Sequence, residues 1–245
     1  MTHPTPWPPS SPQQEALAGA RDILPLVVGA IPFGLIFGTL AQGSGLSFSA
    51  TLGMSAFVFA GSSQFIALGL LAAGSTLPLI VLTTLVVNLR HLLYAASLLP
   101  YVQNLSWRWQ GAIAFLLTDE AFAVAIRRYA QPDPSPHKHW YYLGAGLTMY
   151  VNWIFCTLLG LTLGQLIPNA AAWGLDFAMV ATFIGMITPY AKTRPMVGAI
   201  LVAGLVASLA NGLPHKLGLM VAAGAGVAVG FGLEICKGKS PWGRR

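Results

Sequence analysis

Sixty-seven consecutive residues, from Ile23 to Leu89, contain no Asp, Glu, Lys or Arg. A membrane-crossing helix needs about 20 apolar residues, so this stretch is long enough for two crossings and part of a third. Only 8% of the 245 residues are charged, whereas a soluble domain carries roughly 25%. The chain is therefore predicted to be an all-α integral membrane protein, and a soluble globular fold is excluded.

Apolar runs between glycine, proline and charged residues predict a polytopic bundle of about eight transmembrane helices, with seven as the alternative. The runs are 23–40, 46–73, 77–99, 111–126, 141–167, 177–189, 196–213 and 217–235. The sixth is the shortest, since only 15 residues separate Asp176 from Lys192. As a helix these cover about 22 Å, less than a bilayer core of about 30 Å, so we expect this helix to be bent or broken.

The segments that flank the predicted transmembrane domain (residues 21–236) differ from it in composition. Residues 1–20 are rich in Pro, Ser and Gln, which predicts a disordered N-terminus and not a signal peptide. Residues 237–245 form a basic tail. With the N-terminus inside and eight crossings, ten Lys and Arg residues are cytoplasmic, and two, Arg108 and Lys216, are external. The positive-inside rule then predicts a multi-pass protein of the cytoplasmic membrane with both termini cytoplasmic.

Three landmarks recur at nearly constant spacing, which predicts an internal repeat. Residues 33–38 align with 155–160 at an offset of 122, Gly61 with Gly185 at 124, and Asn88 with Asn211 at 123. Four intervening helices would give both halves the same orientation. Chance similarity between glycine-rich apolar segments is the alternative.

Several chemistries lack sequence support. The two cysteines have no metal-ligand spacing and cannot form a disulfide framework. No phosphate-binding loop of the Gly-x4-Gly-Lys-Ser/Thr type is present. The net charge of +6 reflects basic residues between apolar runs, without the aromatic interleaving typical of nucleic-acid binding. We predict neither a metal nor a cofactor.

The first polar cluster within an apolar run is F-A-G-S-S-Q-F at residues 59–65. It suggests Gly61, Ser62, Ser63 and Gln64 as substrate-binding residues, because a long amide such as that of Gln64 is costly in lipid. Close helix packing is the alternative for the small residues, and the serine hydroxyls could bond to their own helix.

The second cluster centres on Arg90, near the middle of the third run. A charge at the centre of a membrane costs about 2.5 to 3.5 kcal/mol and is usually functional. Asn88, His91 and Tyr94 share one helix face, while Arg90 points elsewhere, so either the helix unwinds or Arg90 has a partner of its own. Asn88, Arg90 and Tyr94 are substrate-binding candidates and His91 is a proton-coupling candidate. A structural ion pair for Arg90 and a simple hydrogen-bonding role for His91 are the alternatives.

The third cluster is the adjacent carboxylate pair Asp119 and Glu120. Neighbouring helix positions differ by about 100°, so one carboxylate can face Arg90 while the other faces a cavity and carries a proton. A shallow helix with both acids hydrated is the alternative. Asn211 becomes a further substrate-binding candidate if the repeat exists, although Asn-Gly often marks a helix end.

In this order, the motifs resemble those of the AzlC family, the large subunit of branched-chain amino acid exporters. The resemblance covers about residues 21–234, and it rests on residues 34–38, 59–65, 88–91 with Tyr94, 118–120 with Phe122, and 174–177. It implies efflux of valine, leucine, isoleucine or similar amino acids, together with a small AzlD-type membrane subunit. No functional residues are carried over from the family.

These observations predict a secondary transporter, not an enzyme, that exports hydrophobic amino acids by alternating access coupled to the proton gradient. One alternative is a passive channel or an exporter of another small solute. The other is an intramembrane enzyme with Ser62 and His91 as a dyad, although the polar residues lack the spacing of a catalytic or metal cluster.

Overall fold

A computed structural model describes residues 11–133, 135–164, 184, 188, 191–213 and 217–236. The helices described are α1 (Pro12–Gly43), α2 (Phe48–Phe57), α3 (Gly61–Ala72), α4 (Leu77–Val102), α5 (Trp107–Phe115), α6 (Asp119–Tyr129), α7 (Lys138–Leu163), α8 (Arg194–Leu209) and α9 (Leu217–Cys236). The predicted all-α membrane class is confirmed, and α1, α4 and α7 are long and apolar enough to cross a bilayer. The chain falls into two compact units, Met1–Leu175 and Asp176–Arg245. Most of the predicted sixth crossing, with Gly185, lies outside the described residues, as do residues 1–10 and the basic tail.

Helix α1 begins earlier than the sequence predicted. Ser11 and Gln14 form a capping box. The backbone N–H of Gln14 donates to Ser11 Oγ over 3.2 Å, and the backbone N–H of Ser11 donates to the side-chain Oε1 of Gln14 over 3.0 Å. Such a cap satisfies N–H groups that a helix end leaves open. The prediction of disorder is therefore wrong for residues 12–20, which are helical because they are capped and packed.

Helices α1 and α7 run parallel and are closely packed through glycines. The Gly19 Cα faces the carbonyl of Tyr141, and Gly34 faces Cys156, so that a methyl group at either glycine would clash. Thr39 Oγ1 also donates to the Gly160 carbonyl over 3.3 Å. Small residues allow helix backbones to approach closely in a membrane, and here they bring the two helices together along most of their length.

The α1–α7 contact is reciprocal. A methyl group at Gly38 would meet the carbonyl of Thr157, and one at Gly160 would meet the carbonyl of Leu35. At the predicted repeat offset of 122, residues 35 and 38 correspond to residues 157 and 160. Exchanging the two halves therefore turns the Gly38–Thr157 contact into the Gly160–Leu35 contact. This interface has the local two-fold relationship that a parallel repeat requires, while the repeat as a whole stays a prediction.

Helix α4 runs in the opposite direction to α1 and α7. Near its C-terminus, Tyr101 stacks on Tyr129, with ring centroids 5.3 Å apart, close to where α7 begins. Near its N-terminus, Ile80 packs with Leu70 of α3 in a buried apolar cluster. The middle of α4 therefore lies between the two ends of the first unit.

Helices α2 and α3 form a hairpin that enters and leaves at one end of the unit. Met54 of α2 packs against the cluster that contains Leu70 of α3. In a straight helix these two residues would be about 24 Å apart. The chain turns at residues 58–60, where Val58 and Ala60 leave helical geometry, with ψ of 65° and 84°.

Helices α5 and α6 form a second hairpin, which enters from the opposite end. Trp109 of α5 lies 4.4 Å from His139, measured between ring centroids, and Lys138 Nζ donates to the carbonyl of Gln131 just beyond α6 over 2.7 Å. The start of α5 and the end of α6 are therefore both beside the start of α7. The turn lies at residues 116–118, where Thr118 begins α6 as its N-cap.

Two of the eight predicted crossings, 46–73 and 111–126, are wrong, because each of these runs forms a re-entrant hairpin instead of a single crossing helix. Hydropathy alone cannot distinguish a crossing from a re-entrant hairpin, because both are continuous apolar runs. The correction also places Arg108 at the end of the unit that carries Arg21, Arg127, Arg128 and Lys138, hereafter the basic end. The chain between α1 and α2 and that between α3 and α4, at the opposite end, contain no Lys or Arg.

A buried ion-pair network closes the basic end. The Arg128 guanidinium donates to Glu15 of α1, with Nε to Oε2 at 2.9 Å, and to Asp133 through two bonds of 2.7 and 2.8 Å. Lys138 of α7 also pairs with Asp133, at 2.9 Å. Only 3% of the Glu15 side chain and 7% of the Asp133 side chain are exposed. The network ties the end of the α5–α6 hairpin to both α1 and α7.

The second unit contains an antiparallel pair, α8 and α9. Gly218 faces Ala210, Gly226 faces Ala199 and Ala203, and Gly230 faces Ala199. Thr193 caps α8 by accepting from the Met196 amide over 3.4 Å. These helices correspond to the predicted runs 196–213 and 217–235.

Candidate functional site

The tips of the two hairpins meet at Tyr150, near the middle of α7. The Tyr150 ring makes edge contacts with Phe59 at 5.1 Å and with Phe115 at 5.6 Å. Its hydroxyl donates to the Ala56 carbonyl over 3.0 Å. A single crossing helix thus positions both breaks midway between the two ends of the unit.

Gln64 supports the α2–α3 tip from inside. Its Nε2 donates to the carbonyls of Val58 and Met54 over 2.7 and 3.1 Å, and its Oε1 accepts from Trp153 Nε1 over 3.1 Å. The same two carbonyls also accept backbone N–H groups, Met54 O from Val58 over 2.8 Å and Val58 O from Ala60 over 2.7 Å, so the fully buried Gln64 amide adds a second donor to each of them at the turn. The amide is therefore occupied by protein groups in this conformation, and the predicted substrate contact of Gln64 stays a prediction.

Two half-helices begin at the hairpin tips and direct their N-termini toward α4. Helix α3 begins at Gly61, which packs so closely on Trp153 that a methyl group there would come within 2.8 Å of the indole. Helix α6 begins after Thr118, whose Oγ1 accepts from the Ala121 amide over 3.2 Å. A helix N-terminus carries a partial positive charge of about +0.5 and unpaired N–H groups. The α3 tip can therefore attract an anion, whereas the first turn of α6 carries the carboxylates Asp119 and Glu120.

Arg90 of α4 bridges the two half-helix N-termini. Its Nη1 donates to Asp119 Oδ2 over 2.7 Å, and its Nη2 donates to Ser62 Oγ over 2.6 Å. Helix α4 is continuous through this position, so Arg90 has partners of its own and the helix does not unwind. The expected pairing of one carboxylate with Arg90 is observed, and that carboxylate belongs to Asp119.

The ion pair leaves one donor and one acceptor open. Arg90 Nε and Asp119 Oδ1 are buried atoms that have no hydrogen-bond partner among the described residues. About 30% of the Arg90 side chain and 24% of the Asp119 side chain are nevertheless exposed. Both side chains therefore keep hydrogen-bonding capacity that the ion pair does not use.

The other predicted residues of α4 surround this pair. Ser63 Oγ donates to Asn88 Oδ1 over 2.7 Å. His91 Nδ1 lies 3.2 Å from the carbonyl of Asn88, and its ring makes an edge contact with Tyr94. Tyr94 in turn stacks on Phe122 of α6, with centroids 4.6 Å apart. The α4 residues thus join the hairpin residues through contacts to both α3 and α6.

Glu120 and Asn211 are placed differently. Glu120 is half-buried in the first turn of α6, next to Asp119. Asn211 is exposed and follows the end of α8, in the second unit, so its predicted link to the site stays untested. The Ser62–His91 dyad, considered above as an alternative, is not formed. Ser62 Oγ accepts a hydrogen bond from Arg90, and His91 Nδ1 contacts the Asn88 carbonyl of its own helix.

Sequence reasoning missed three residues of α7. Tyr150 and Trp153 hold the hairpin tips, and Asn152 has a buried Nδ2 without a partner in the described part of the chain. Aromatic residues in apolar runs carry no distinctive signal. Asn152 could have been found by the criterion that identified Gln64, since an amide inside a membrane is costly.

Chemically, the site can bind a small molecule that carries both charges. Guanidinium and helix N-termini bind carboxylates, whereas carboxylate oxygens bind ammonium groups. The Tyr94–Phe122 stack provides an apolar surface nearby.

Comparison with known proteins identifies relatives over most of the chain. The family described as AzlC protein matches residues 25–167. An inner membrane protein of Escherichia coli K12, YgaZ, is 31% identical over 230 residues, which cover 91% of each chain. The branched-chain amino acid transport protein AzlC of Bacillus subtilis 168 is 29% identical over 188 residues, 76% of this chain and 72% of that protein.

Other organisms carry similar proteins. An uncharacterized membrane protein of Helicobacter pylori 26695 is 33% identical over 174 residues, 69% of this chain and 75% of the relative. No solved structure gives a significant match. The resemblance seen in the motifs is confirmed by the family match and by the extent of these alignments. The chain belongs to the AzlC family of membrane proteins, which is associated with transport.

Proposed function

We propose that this protein exports branched-chain and related hydrophobic amino acids across the cytoplasmic membrane. The observation that supports this most directly is the Arg90–Asp119 pair, which keeps Arg90 Nε and Asp119 Oδ1 open. One relative, in Bacillus subtilis, is named as a branched-chain amino acid transport protein. Valine, leucine, isoleucine and methionine are the proposed substrates.

A zwitterion matches the open atoms of this pair. The substrate carboxylate accepts from Arg90 Nε and from the N-terminal amides of α3, while its ammonium donates to Asp119 Oδ1. A purely structural ion pair would gain nothing by leaving two buried atoms unsatisfied, which costs about 1 to 3 kcal/mol for each group. A bound substrate removes this cost.

The substrate side chain determines little of the selectivity. An apolar surface such as Tyr94 and Phe122 discriminates between aliphatic chains by only about 1 to 3 kcal/mol per methylene. We therefore expect a broad range of hydrophobic amino acids.

The opposed hairpins suggest how access alternates. The α5–α6 hairpin reaches the Arg90 site from the basic end, and the α2–α3 hairpin reaches it from the opposite end. Movement of either hairpin alone would therefore open the site to one side of the membrane only. Basic residues concentrate at the end where α1 begins, which supports a cytoplasmic location for that end by the positive-inside rule. The N-terminus is then cytoplasmic, and the same orientation is proposed for the C-terminus.

Proton movement is the proposed driving force. Glu120, Asp119 and His91 lie within or beside the site and are the candidate carriers. Protonation of a carboxylate near Arg90 would change the balance of charge in the site, which can couple substrate release to a proton. A small AzlD-type membrane subunit is the proposed partner.

Counterflow in proteoliposomes tests the transport function. Vesicles loaded with unlabelled valine should accumulate labelled valine transiently in the presence of the chain, alone or with its small partner. Saturable counterflow supports an exporter. Unsaturable leakage without counterflow would show a channel instead, and no flux of any hydrophobic amino acid with either preparation would reject the proposed substrates.

Uphill transport tests the coupling. Imposing a proton gradient should drive valine against its concentration gradient, and a protonophore should abolish this movement. Uphill movement that persists after the proton gradient is dissipated would reject proton coupling while leaving the transport function intact.

A further inference from the structure

A second cleft lies at the basic end, separate from the Arg90 site. It has a volume of about 410 Å³ and is formed by α1, α6 and the start of α7. Arg21 and Arg127 line it from different helices, and Pro25 and Val124 contribute apolar wall. None of these four residues has a role in the proposed transport site.

The charge of the cleft is only partly neutralised from within. Arg21 and Arg127 are both exposed and form no ion pair with any residue that the structure describes. Arg128, also in the lining, is already paired with Glu15 and Asp133. The acid in the lining, Asp22, accepts a hydrogen bond from the neutral Tyr141 hydroxyl over 2.7 Å and keeps its negative charge. Against this one carboxylate, the guanidinium groups of Arg21 and Arg127 leave the cleft positive.

The position of the cleft coincides with the start of the apolar surface of α1. Immediately after Asp22, Leu24 and Val28 are 48% and 65% exposed, as expected for side chains that face lipid. The guanidinium groups therefore lie where phospholipid headgroups lie, and Pro25 and Val124 face the level of the glycerol and upper acyl chain.

We propose that this cleft binds the phosphate of an anionic phospholipid, with Arg21 and Arg127 as its ligands. Guanidinium groups bind phosphate oxygens through paired N–H donors, and basic pockets between membrane helices on the cytoplasmic side bind anionic headgroups. A lipid fits better than a free phosphate ion because part of the wall is apolar and continuous with the membrane-facing surface. The bound lipid connects α6, the second arm of the α5–α6 hairpin, with α1.

The test is thermal unfolding of the purified full chain in detergent with three additives. Short-chain phosphatidylglycerol should raise Tm by about 5 °C or more near saturation, whereas phosphatidylcholine of the same chain length and inorganic phosphate should not. An equal shift with phosphatidylcholine or inorganic phosphate would overturn the lipid assignment.

Matched variants locate the site. The double substitution Arg21→Gln and Arg127→Gln should remove the phosphatidylglycerol shift. Arg108→Gln should retain it, because Arg108 lies at the same end over the Trp107 ring, 5.6 Å from its centroid, outside the cleft. A shift that survives in the double variant would overturn the proposal.

Native mass spectrometry provides an independent measurement if the double variant does not fold. After mild delipidation, Arg127→Gln alone should retain fewer phosphatidylglycerol molecules than Arg108→Gln and the unmodified chain. Equal retention by all three proteins would overturn the proposal. This readout does not depend on transport, so it stands or falls separately from the exporter function.

Discussion

The indole Nε1 of Trp153 donates to Oε1 of Gln64 over 3.1 Å, and this bond orients the Gln64 amide at the α2–α3 tip. With Oε1 directed to Trp153, both hydrogens of Nε2 face the carbonyls that end α2. A crossing helix thus stabilises a break in its neighbour, and the break presents the N-terminus of α3 to Arg90.

Replacing Gln64 with Leu should destabilise the protein by about 1 to 3 kcal/mol, because the buried Trp153 Nε1 loses its acceptor, while the Met54 and Val58 carbonyls keep only their backbone donors. Trp153→Phe removes one donor while it retains an aromatic ring, so its effect should be smaller. Detergent unfolding compares the two. Unchanged stability in Gln64→Leu together with a raised KM for valine would show that Gln64 contacts substrate and does not support the tip.

Arg90 and Asp119 should be strongly coupled. Arg90→Gln and Asp119→Asn each leave a partly buried charge without its partner, which costs about 3 to 5 kcal/mol at a fully buried site. The double variant should lose less stability than the sum of the single losses. All three should lose valine counterflow, whereas Arg108→Gln should retain it. Additive stability losses would show that the two residues do not interact.

The hairpins make a topological prediction that eight simple crossings do not. In a cysteine-free background, Ser106→Cys and Gln131→Cys should both be labelled from the cytoplasmic side, since both flank the α5–α6 hairpin at the basic end. Ser44→Cys and Ser75→Cys should both be labelled from the other side. Labelling of residues 106 and 131 from opposite sides of the membrane would contradict the hairpin.

The reciprocal glycine contact predicts matching effects in two helices. Gly38→Ala and Gly160→Ala place a methyl group against backbone and should each destabilise by about 1 to 3 kcal/mol. Gly29→Ala on the same helix as Gly38 meets no atom within 4 Å and should stabilise α1 by about 0.5 to 1 kcal/mol. Melting temperatures of the three variants test this, and indifference to both Gly38→Ala and Gly160→Ala would argue against the close α1–α7 contact.

The ion-pair network at the basic end predicts a dependence on pH. Hydrogen bonds from Arg128, and the further pairing with Lys138, hold the pKa of Asp133 well below its ordinary value. Its contribution is therefore fully present above the unfolded-state pKa of about 3.9, and is lost as the pH falls toward the lower folded-state pKa. Asp133→Asn should be less stable at pH 7, and its deficit should shrink below about pH 4. A deficit that is constant from pH 7 to pH 3 would exclude this linkage.

The sequence alone was sufficient for the membrane class and the family, and it singled out the polar residues of α3, α4 and α6 that gather at the centre, but not Tyr150, Asn152 and Trp153 of α7. Its signals were strong for a simple reason: Arg90, Asp119 and Gln64 are costly in lipid wherever the chain places them, so their presence in apolar runs indicates partners. The argument from composition failed at the N-terminus, where the Ser11 cap and the Glu15 pairing make residues 12–20 helical.

Tertiary structure decided where each apolar run goes. A run such as 46–73 has the same hydropathy whether it crosses the bilayer or turns back at residue 59, because lipid contacts and buried helix contacts are equally apolar. The choice depends on side-chain contacts that hold the turn in addition to its own backbone bonds, and these come from Gln64 and Tyr150, the second of them on a helix about 90 residues away in sequence. Long-range hydrogen bonds of this kind leave no periodic pattern in the chain, so only the packed fold places the two half-helix ends on either side of Arg90.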